Sequence, residues 1–255
     1  MDVMYMICFF LIGAVLGSFY NVLGIRIPRH ESIVKHDSHC EKCGHLLKWY
    51  ELIPIISFLA LRGKCSSCKA KISLMYPFSE LVCGILFALS FYSYGFSIEL
   101  LISLVISSLL IVVIVSDLNY MIIPDRFIVI SSILIIIFKI IGYGIEDTLY
   151  SILSGIVSFG VMFLIMKFGS YVFKKEAMGG ADVKLMFIVG LCTEPFLALI
   201  VIIVASVLAL PPALFLLYKE KERIIPFGPF IVIGLLIVLF TKINSQEIIN
   251  FLIKK

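Results

Sequence analysis

Long apolar runs dominate the chain and constrain its fold more than any other sequence feature. Eight of them lie at 3–24, 76–95, 97–116, 126–143, 148–173, 183–192, 195–218 and 224–243. Most are long enough to cross a hydrocarbon core of about 30 Å at about 1.5 Å per residue. Backbone groups find no water inside lipid, so each crossing segment must be helical. The composition agrees, since 61% of the 255 residues are hydrophobic and only 15% are charged, which excludes an ordinary soluble domain.

We therefore predict an all-α polytopic membrane protein, a bundle of about eight transmembrane helices, with seven as the alternative. The ambiguity comes from the run 183–192, because the residues from Asp182 to Cys192 cover only about 17 Å. This segment either starts partway into the membrane or turns back before crossing. Eight crossings place the basic loop 219–223 inside, and seven place it outside. The first run is preceded by the acidic Asp2 and has no basic n-region, so we predict a retained helix and not a signal peptide.

A polar island at residues 25–75 separates the first apolar run from the others. It holds nine of the 21 basic residues, all four histidines, the single tryptophan and four of the seven cysteines. Basic loops of membrane proteins face the cytoplasm, so we predict the island inside and the N-terminus outside. The chain then divides into a first transmembrane helix at 1–24, the island, and a transmembrane bundle at 76–255. Flanking charge of this kind usually sets topology, so membrane lipids are expected partners and nucleic acid is not.

Two Cys-x2-Cys pairs lie in the island, Cys40 with Cys43 and Cys65 with Cys68. Each pair can chelate one ion with two thiolates, and two pairs complete the tetrahedral four-sulfur site typical of zinc. A closed site leaves no open position for substrate, so the predicted zinc is structural. Two disulfides or four free thiols are the alternatives, although a reducing cytoplasm disfavours disulfides. Replacement of one thiolate by a flanking histidine is a less favoured variant.

Four acidic residues, Glu80, Asp117, Asp125 and Asp182, lie within or beside membrane spans, where such residues are rare and usually functional. Asp117 ends the third run, and Asp182 opens the sixth. The predicted topology puts both on the cytoplasmic side. Two carboxylates in a partly dry site share one proton, so one can act as general base on a water while the other protonates a carbonyl oxygen, as in aspartic proteases. Gly179 and Gly180 would let an extended peptide backbone approach Asp182 closely.

Structural roles are the alternatives for each acidic residue of this region. Asp182 can cap a helix N-terminus, and Asp117 can simply mark an interfacial helix end. Asp125 follows Pro124 at the start of a run, and an N-cap role is favoured over catalysis there. Glu80, at the exit of the island, can pair with a basic residue or line a polar cavity.

Several short motifs follow one another around the four-cysteine island. Besides the cysteine pairs they are GSFYNVLGIRIPR (17–29), WYELIPIISFLALRGKC (49–65), ISLMYPFSEL (72–81), SDLNYMIIPD (116–125), MGGADVKL (178–185) and IPFGPF (225–230). In this order they resemble the bacterial type IV prepilin peptidases, which are bifunctional leader peptidase/N-methyltransferases. The resemblance runs nearly from end to end of the chain.

The resemblance implies an intramembrane aspartic protease of the Gly-x-Gly-Asp class, with catalytic acids that match Asp117 and Asp182. It implies cleavage of a leader from prepilins and pseudopilins after a glycine. The new N-terminal residue, usually Phe, is then N-methylated with S-adenosylmethionine as donor. It also implies that the island is a cytoplasmic zinc-binding domain and that the enzyme lies in the cytoplasmic membrane. The second motif glycine is Ala181 here, which is still small enough unless that position needs a positive φ.

The methyl-transfer site is harder to place, because the sequence has no glycine-rich donor loop of the soluble type. The donor is soluble, so its site should open to the cytoplasm near the island, and Glu80 and Arg26 are the candidates. An ion-coupled transporter using Asp117 or Asp182 is the rival hypothesis, although the repeated halves typical of transporters are not visible. A non-catalytic membrane protein with a zinc-ribbon docking domain is the third.

Overall fold

The computed structural model describes residues 2–33, 38–174, 179–218, 226–243 and 245. Over these residues the chain is helical apart from turns, loops and two isolated β-bridges in the island. The helices in chain order are α1 (Asp2–Arg26), a 3-10 turn (Trp49–Leu52), α2 (Ile56–Ala60), α3 (Met75–Tyr94), α4 (Ile98–Tyr120), α5 (Asp125–Phe173), α6 (Gly180–Cys192), α7 (Pro195–Tyr218) and α8 (Gly228–Thr241). The predicted all-α class is confirmed.

Five helices of the described part, α1, α3, α4, α5 and α7, are long and apolar enough to cross a membrane. Helices α6 and α8 are shorter, with 13 and 14 residues, or about 20 Å each. Neither reaches the roughly 30 Å of a hydrocarbon core. The predicted short sixth segment is therefore present, and α8 is as short. The basic loop 219–223 lies outside the described residues, and the number of crossings stays a prediction, as do the domain boundaries.

Helix α5 consists of two arms that fold back on each other. Gly144, between them, has φ 85° and ψ 178°, a conformation that is essentially restricted to glycine. Lys139 Nζ donates to Ser151 Oγ at 2.8 Å, although a straight helix would separate these residues by about 18 Å. The arms therefore run antiparallel, in agreement with the separate apolar runs 126–143 and 148–173.

Helix α4 occupies the centre of the bundle and packs against α1, α3, α5 and α8. On one side its Ile111 and Val115 join Cys83 and Phe87 of α3 in a small apolar cluster. On the other side its Ile106 belongs to a larger core to which α5, α6, α7 and α8 contribute. The end of α4 therefore lies between the two halves of the bundle, which is where Asp117 is found.

Small residues bring α1 and α3 into close contact. A Cβ added at Gly13 would lie 2.7 Å from a backbone oxygen of α3, and one at Gly17 would lie 2.9 Å from the Cα of Glu80. Two small residues four positions apart are a common basis for tight helix packing in membranes. Buried Asn21 adds a polar link, since its Oδ1 accepts a hydrogen bond from Ser79 Oγ at 2.7 Å. The end of α1 and the start of α3 are thus held together on either side of the island.

A single added methyl group should separate this pair of helices. We expect Gly17→Ala to lower the free energy of unfolding by about 1–3 kcal/mol through overpacking, measured as a lower melting temperature of the purified protein in detergent. Gly160→Ala in α5 is the matched control, because its Cβ position has no described atom within 4 Å. The control should be neutral or slightly stabilising. Equal losses in both variants would contradict the packing role of Gly17.

Candidate functional site

The four cysteines of the island come together as predicted. Their sulfurs lie within 4.8 Å of one another, and the Sγ–Sγ distances are 3.9 Å for Cys40–Cys68 and 3.9 Å for Cys43–Cys65. A disulfide would need about 2.05 Å, so these thiols are not bonded in pairs. Four sulfurs placed about 2.3 Å from a central zinc would lie about 3.8 Å apart. The cluster therefore has the dimensions of a four-sulfur metal site.

Tight turns closed by backbone hydrogen bonds present the sulfurs. In the first turn the Gly44 N–H donates to the Cys40 carbonyl oxygen at 2.8 Å, and the Cys40 N–H donates to that of His45 at 2.9 Å. Gly44 has φ 71°, which glycine adopts without strain. The backbone N–H groups of Lys42 and Cys43 lower the pKa of the Cys40 thiol to about 6. This favours the thiolate, which is the form that binds a metal.

His45 pairs with other side chains and does not join the sulfur cluster. Its Nε2 lies 3.3 Å from Glu51 Oε2 and 3.1 Å from Ser66 Oγ. Glu51 also accepts the backbone N–H of Lys48 at 2.8 Å, and this hydrogen bond is the largest cause that lowers the pKa of the Glu51 carboxyl. The imidazole thus links the two halves of the island, and the arrangement gives no support to His45 as a ligand; the same alternative for His39 stays a prediction.

Glu80 connects the island to the bundle. Its side chain is buried and accepts the backbone N–H of Ile55 at 2.8 Å, and it lies near the hydroxyl of Ser18. Ile55 has φ 62° and ψ −50°, an unfavourable conformation for a β-branched residue, so the hydrogen bond holds a strained turn. Arg26 ends α1 and donates to two carbonyls of the island's first residues at 3.5 and 3.4 Å. Both sequence candidates for methyl transfer therefore lie where the island meets the bundle.

Asp117 and Asp182 lie close together at one end of the bundle. Asp117 is in the last turn of α4 and Asp182 is in the first turn of α6, and the two carboxylates interact electrostatically. Both are buried, with exposed fractions of 6% and 8%. At this end of α4, the ring of Tyr120 lies 5.5 Å from the guanidinium carbon of Arg29. The acid pair is therefore at the end that carries the island.

Gly179 and Gly180 form an exposed backbone segment beside Asp182. The N-cap of α6 is Gly179, so the alternative that Asp182 itself is the N-cap is wrong. Asp182 is instead the third residue of the helix, and its carboxylate accepts the N–H of Gly179, which is one half of a capping box. A Cβ at Gly180 would meet no described atom within 4 Å. Among the described residues, the space beside Gly180 is therefore open.

Ala181, which replaces the second motif glycine, lies inside α6. A helical residue has a negative φ, so this position does not require glycine for its backbone conformation. Alanine is favoured over glycine in a helix by about 1 kcal/mol. The departure from the motif is therefore compatible with the placement of Asp182.

Asp125 forms an ion pair that the sequence analysis missed. Both of its carboxylate oxygens accept from Lys184 Nζ, at 2.7 and 2.8 Å. The predicted N-cap role is wrong, because Pro124 is the N-cap and α5 starts at Asp125 itself. The pair is largely exposed, so it is worth only about 0–1 kcal/mol. It does tie the start of α5 to the start of α6, two residues beyond Asp182.

The start of α8 is a third segment at the acid pair. The backbone N–H of Gly228 lies within hydrogen-bonding reach of the Asp117 carboxylate, and a Cβ on Gly228 would lie 3.1 Å from Asp117 Oδ2. The IPFGPF motif (225–230) carried the family resemblance but no predicted role of its own. Its Gly-Pro step was the available signal, because proline is typical of the first turn of a helix.

Comparison with known proteins agrees with these features. The family model described as the bacterial peptidase A24 N-terminal domain matches residues 11–94, and that of the type IV leader peptidase family matches 104–214. A relative from Bacillus subtilis, named prepilin leader peptidase/N-methyltransferase, is 36% identical over 248 residues, or 96% of each chain. A protein of the same name from Vibrio cholerae is 31% identical over 261 residues, covering 94% of this chain and 98% of its own. No solved structure matches the chain.

The matches extend over both halves of the bundle and include the island. They confirm the resemblance carried by the sequence motifs and give no support to the transporter alternative. Since the Bacillus subtilis relative aligns over almost the entire length of both proteins, the chain belongs to the prepilin leader peptidase/N-methyltransferase family.

Proposed function

We propose that this protein removes the leader from type IV prepilins and pseudopilins and then N-methylates the new N-terminus. Membership of the family supports both activities, since the relatives carry both in their name. The observation that carries the peptidase activity is the proximity of Asp117 and Asp182 in a buried site. Cleavage after a glycine and methylation of a residue that is usually Phe follow from the resemblance of the motifs.

A buried pair of carboxyl groups suits the hydrolysis of a peptide bond. Two such groups in a partly dry site share one proton. The carboxylate takes a proton from a water molecule, whose oxygen attacks the scissile carbonyl carbon, while the carboxylic acid protonates the carbonyl oxygen. Collapse of the tetrahedral intermediate breaks the C–N bond: the carboxyl group that took the proton from water passes it to the leaving amine, and the proton on the former carbonyl oxygen returns to the other carboxylate. The exposed backbone of Gly179 and Gly180 gives the extended substrate room beside these acids.

The location of the acids suits a substrate that crosses the membrane boundary. A prepilin has a basic leader followed by an apolar segment, so its cleavage site lies at the membrane surface. The acid pair lies at the island end of the bundle, and the island carries the largest share of basic residues. By the positive-inside rule we place the island and the acids on the cytoplasmic side of the inner membrane, with the N-terminus outside.

The cysteine cluster is proposed to hold a structural zinc through Cys40, Cys43, Cys65 and Cys68. Over the described part of the island, Cys65 is the only hydrophobic side chain that is buried, so the island has almost no apolar core of its own. In such a domain, metal binding supplies the free energy of folding. Four thiolates close the coordination shell, so the chemistry is left to residues of the bundle.

Glu80 and Arg26 are proposed to serve methyl transfer at the junction of island and bundle. S-adenosylmethionine, when bound, supplies the methyl group. The new N-terminal amine must be unprotonated to accept it, and in this proposal the carboxylate of Glu80 takes up that proton. Arg26 offers a guanidinium that suits the carboxylate of the donor.

The acid pair is tested by Asp117→Asn and Asp182→Asn. Asparagine keeps the size and one acceptor oxygen but cannot exchange a proton, so we expect prepilin cleavage to fall at least about a hundredfold. Asp147→Asn is the control, because it makes the same change at an exposed residue near the Gly144 bend. Methylation of a separately supplied mature pilin should persist in all three variants. Wild-type cleavage by either inserted and folded active-site variant would refute the acid pair.

The metal site is tested by elemental analysis of the purified, reduced protein. We expect one zinc per chain, and loss of zinc in Cys40→Ser, because serine does not supply a soft thiolate ligand. Cys8→Ser provides the comparison, since Cys8 lies in α1 outside the cluster. Wild-type protein without any metal, or an undiminished zinc content in Cys40→Ser, would rule the site out.

The methyl-transfer role is tested by Glu80→Gln, which keeps an acceptor for the Ile55 N–H but removes the charge. We expect methylation to fall at least about tenfold while cleavage changes little, as measured by mass spectrometry of the mature pilin. The same assay applies to Arg26→Gln. A parallel fall of both activities would show that these residues only anchor the island.

A further inference from the structure

The start of α8 touches the acid pair, yet the chemistry above gives it no role. Helix α8 has Phe227 as N-cap and begins Gly228-Pro229. The first N–H groups of a helix have no partner within it. Pro229 has no N–H at all, and the N–H of Phe230 donates to the Phe227 carbonyl oxygen at 3.0 Å. The Gly228 N–H is therefore left to bind outside the helix, and it lies close to the Asp117 carboxylate, whose Oδ2 is 3.1 Å from the position that a Cβ on Gly228 would take.

The position of Asp117 in its own helix makes this donor important. Asp117 lies in the last turn of α4, where the helix dipole has its negative end and disfavours a carboxylate. Asp182 lies in the first turn of α6, where the dipole is favourable, and takes a hydrogen bond from Gly179 of the same segment. The N-terminus of α8 thus offers a backbone N–H to the Asp117 carboxylate, as the N-terminus of α6 does to the Asp182 carboxylate.

The contact between α8 and Asp117 leaves no space for a side chain at position 228. A Cβ there would lie 2.5 Å from Ile123 Cδ1, 3.1 Å from Asp117 Oδ2 and 3.3 Å from Val113 Cγ1. The Ile123 contact involves the end of a flexible side chain, which can move aside. The Asp117 oxygen would also have to shift by a few tenths of an ångström. Gly228 does not have a positive φ, so glycine is needed here for the close approach and not for the backbone conformation.

We propose that Gly228 is a positioning residue for peptide cleavage, whose N–H holds the Asp117 carboxylate in its orientation toward Asp182. The proposal rests on the proposed function, because it requires Asp117 to take part in catalysis. Displacement of a reacting group by about 1 Å can cost a factor of 10² in rate. The site is therefore built from three helices: α4 and α6 supply the acids, and α8 fixes one of them.

The test compares Gly228→Ala with Gly234→Ala in the full-length enzyme. Gly234 lies on the same helix, and a Cβ there would lie 3.0 Å from the Val201 carbonyl oxygen, so the control overpacks α8 against α7, away from the acids. We expect Gly228→Ala to lower kcat for prepilin cleavage at least about tenfold, with KM within about twofold. Methylation of mature pilin should be unchanged. Gly234→Ala should keep kcat.

A double variant, Gly228→Ala with Ile123→Val, separates positioning from stability. Valine lacks the Cδ1 atom that makes the shortest contact, so the double variant should regain the wild-type melting temperature while kcat stays low. Recovery of kcat together with stability would overturn the proposal. An equal loss of kcat in Gly234→Ala would do so as well.

Asp117→Asn, measured in parallel, distinguishes this inference from the function on which it rests. If Asp117→Asn cleaves at the wild-type rate, the proposed function fails and the positioning role fails with it. If Asp117→Asn is inactive while Gly228→Ala cleaves at the wild-type rate, only the positioning role is refuted.

Discussion

The burial of two carboxylates in an apolar bundle is the constraint on which the rest of the structure depends. Such groups are costly in a medium without water unless hydrogen-bond donors reach them. In lipid most backbone donors are already used inside helices, and helix N-termini are where free ones occur. The two short helices, α6 and α8, begin at the acids. The N-terminal N–H groups of these two helices therefore lie beside the carboxylates.

Much of the fold could be predicted because few backbone structures are stable in a lipid bilayer. The apolar runs located the helices, including the two arms of α5, since helical structure is required wherever the backbone leaves water. The cysteine cluster could be predicted from the spacing of Cys40 and Cys43, because the turn that presents both sulfurs is local. The partner of Asp125 could not, because Lys184 lies 59 residues further along the chain. The local sequence pattern suggested that Asp125 caps a helix, whereas in the folded protein its carboxylate forms an ion pair with Lys184.

In the candidate site, too, local sequence patterns identified some residues, while the roles of others depend on contacts between distant parts of the chain. Asp117 and Asp182 stood out because acidic residues are rare beside membrane spans, and the motif order suggested that they belong together. The Gly-Pro step could mark Gly228 as the start of a helix but could not indicate its role, which depends on the contact between the end of α4 and the start of α8. Ala181 could be assessed only once its backbone was known to be helical.

The island leaves the bundle at the end of α1 and returns at the start of α3, two points held together by glycine-mediated packing. A segment whose ends are fixed side by side can be lengthened, shortened or exchanged with little disturbance of its host. The island therefore resembles an insertion between two helices whose positions are fixed by their own packing. The hydrogen bond between Glu80 and Ile55 marks a joint that any replacement of the island would have to reproduce.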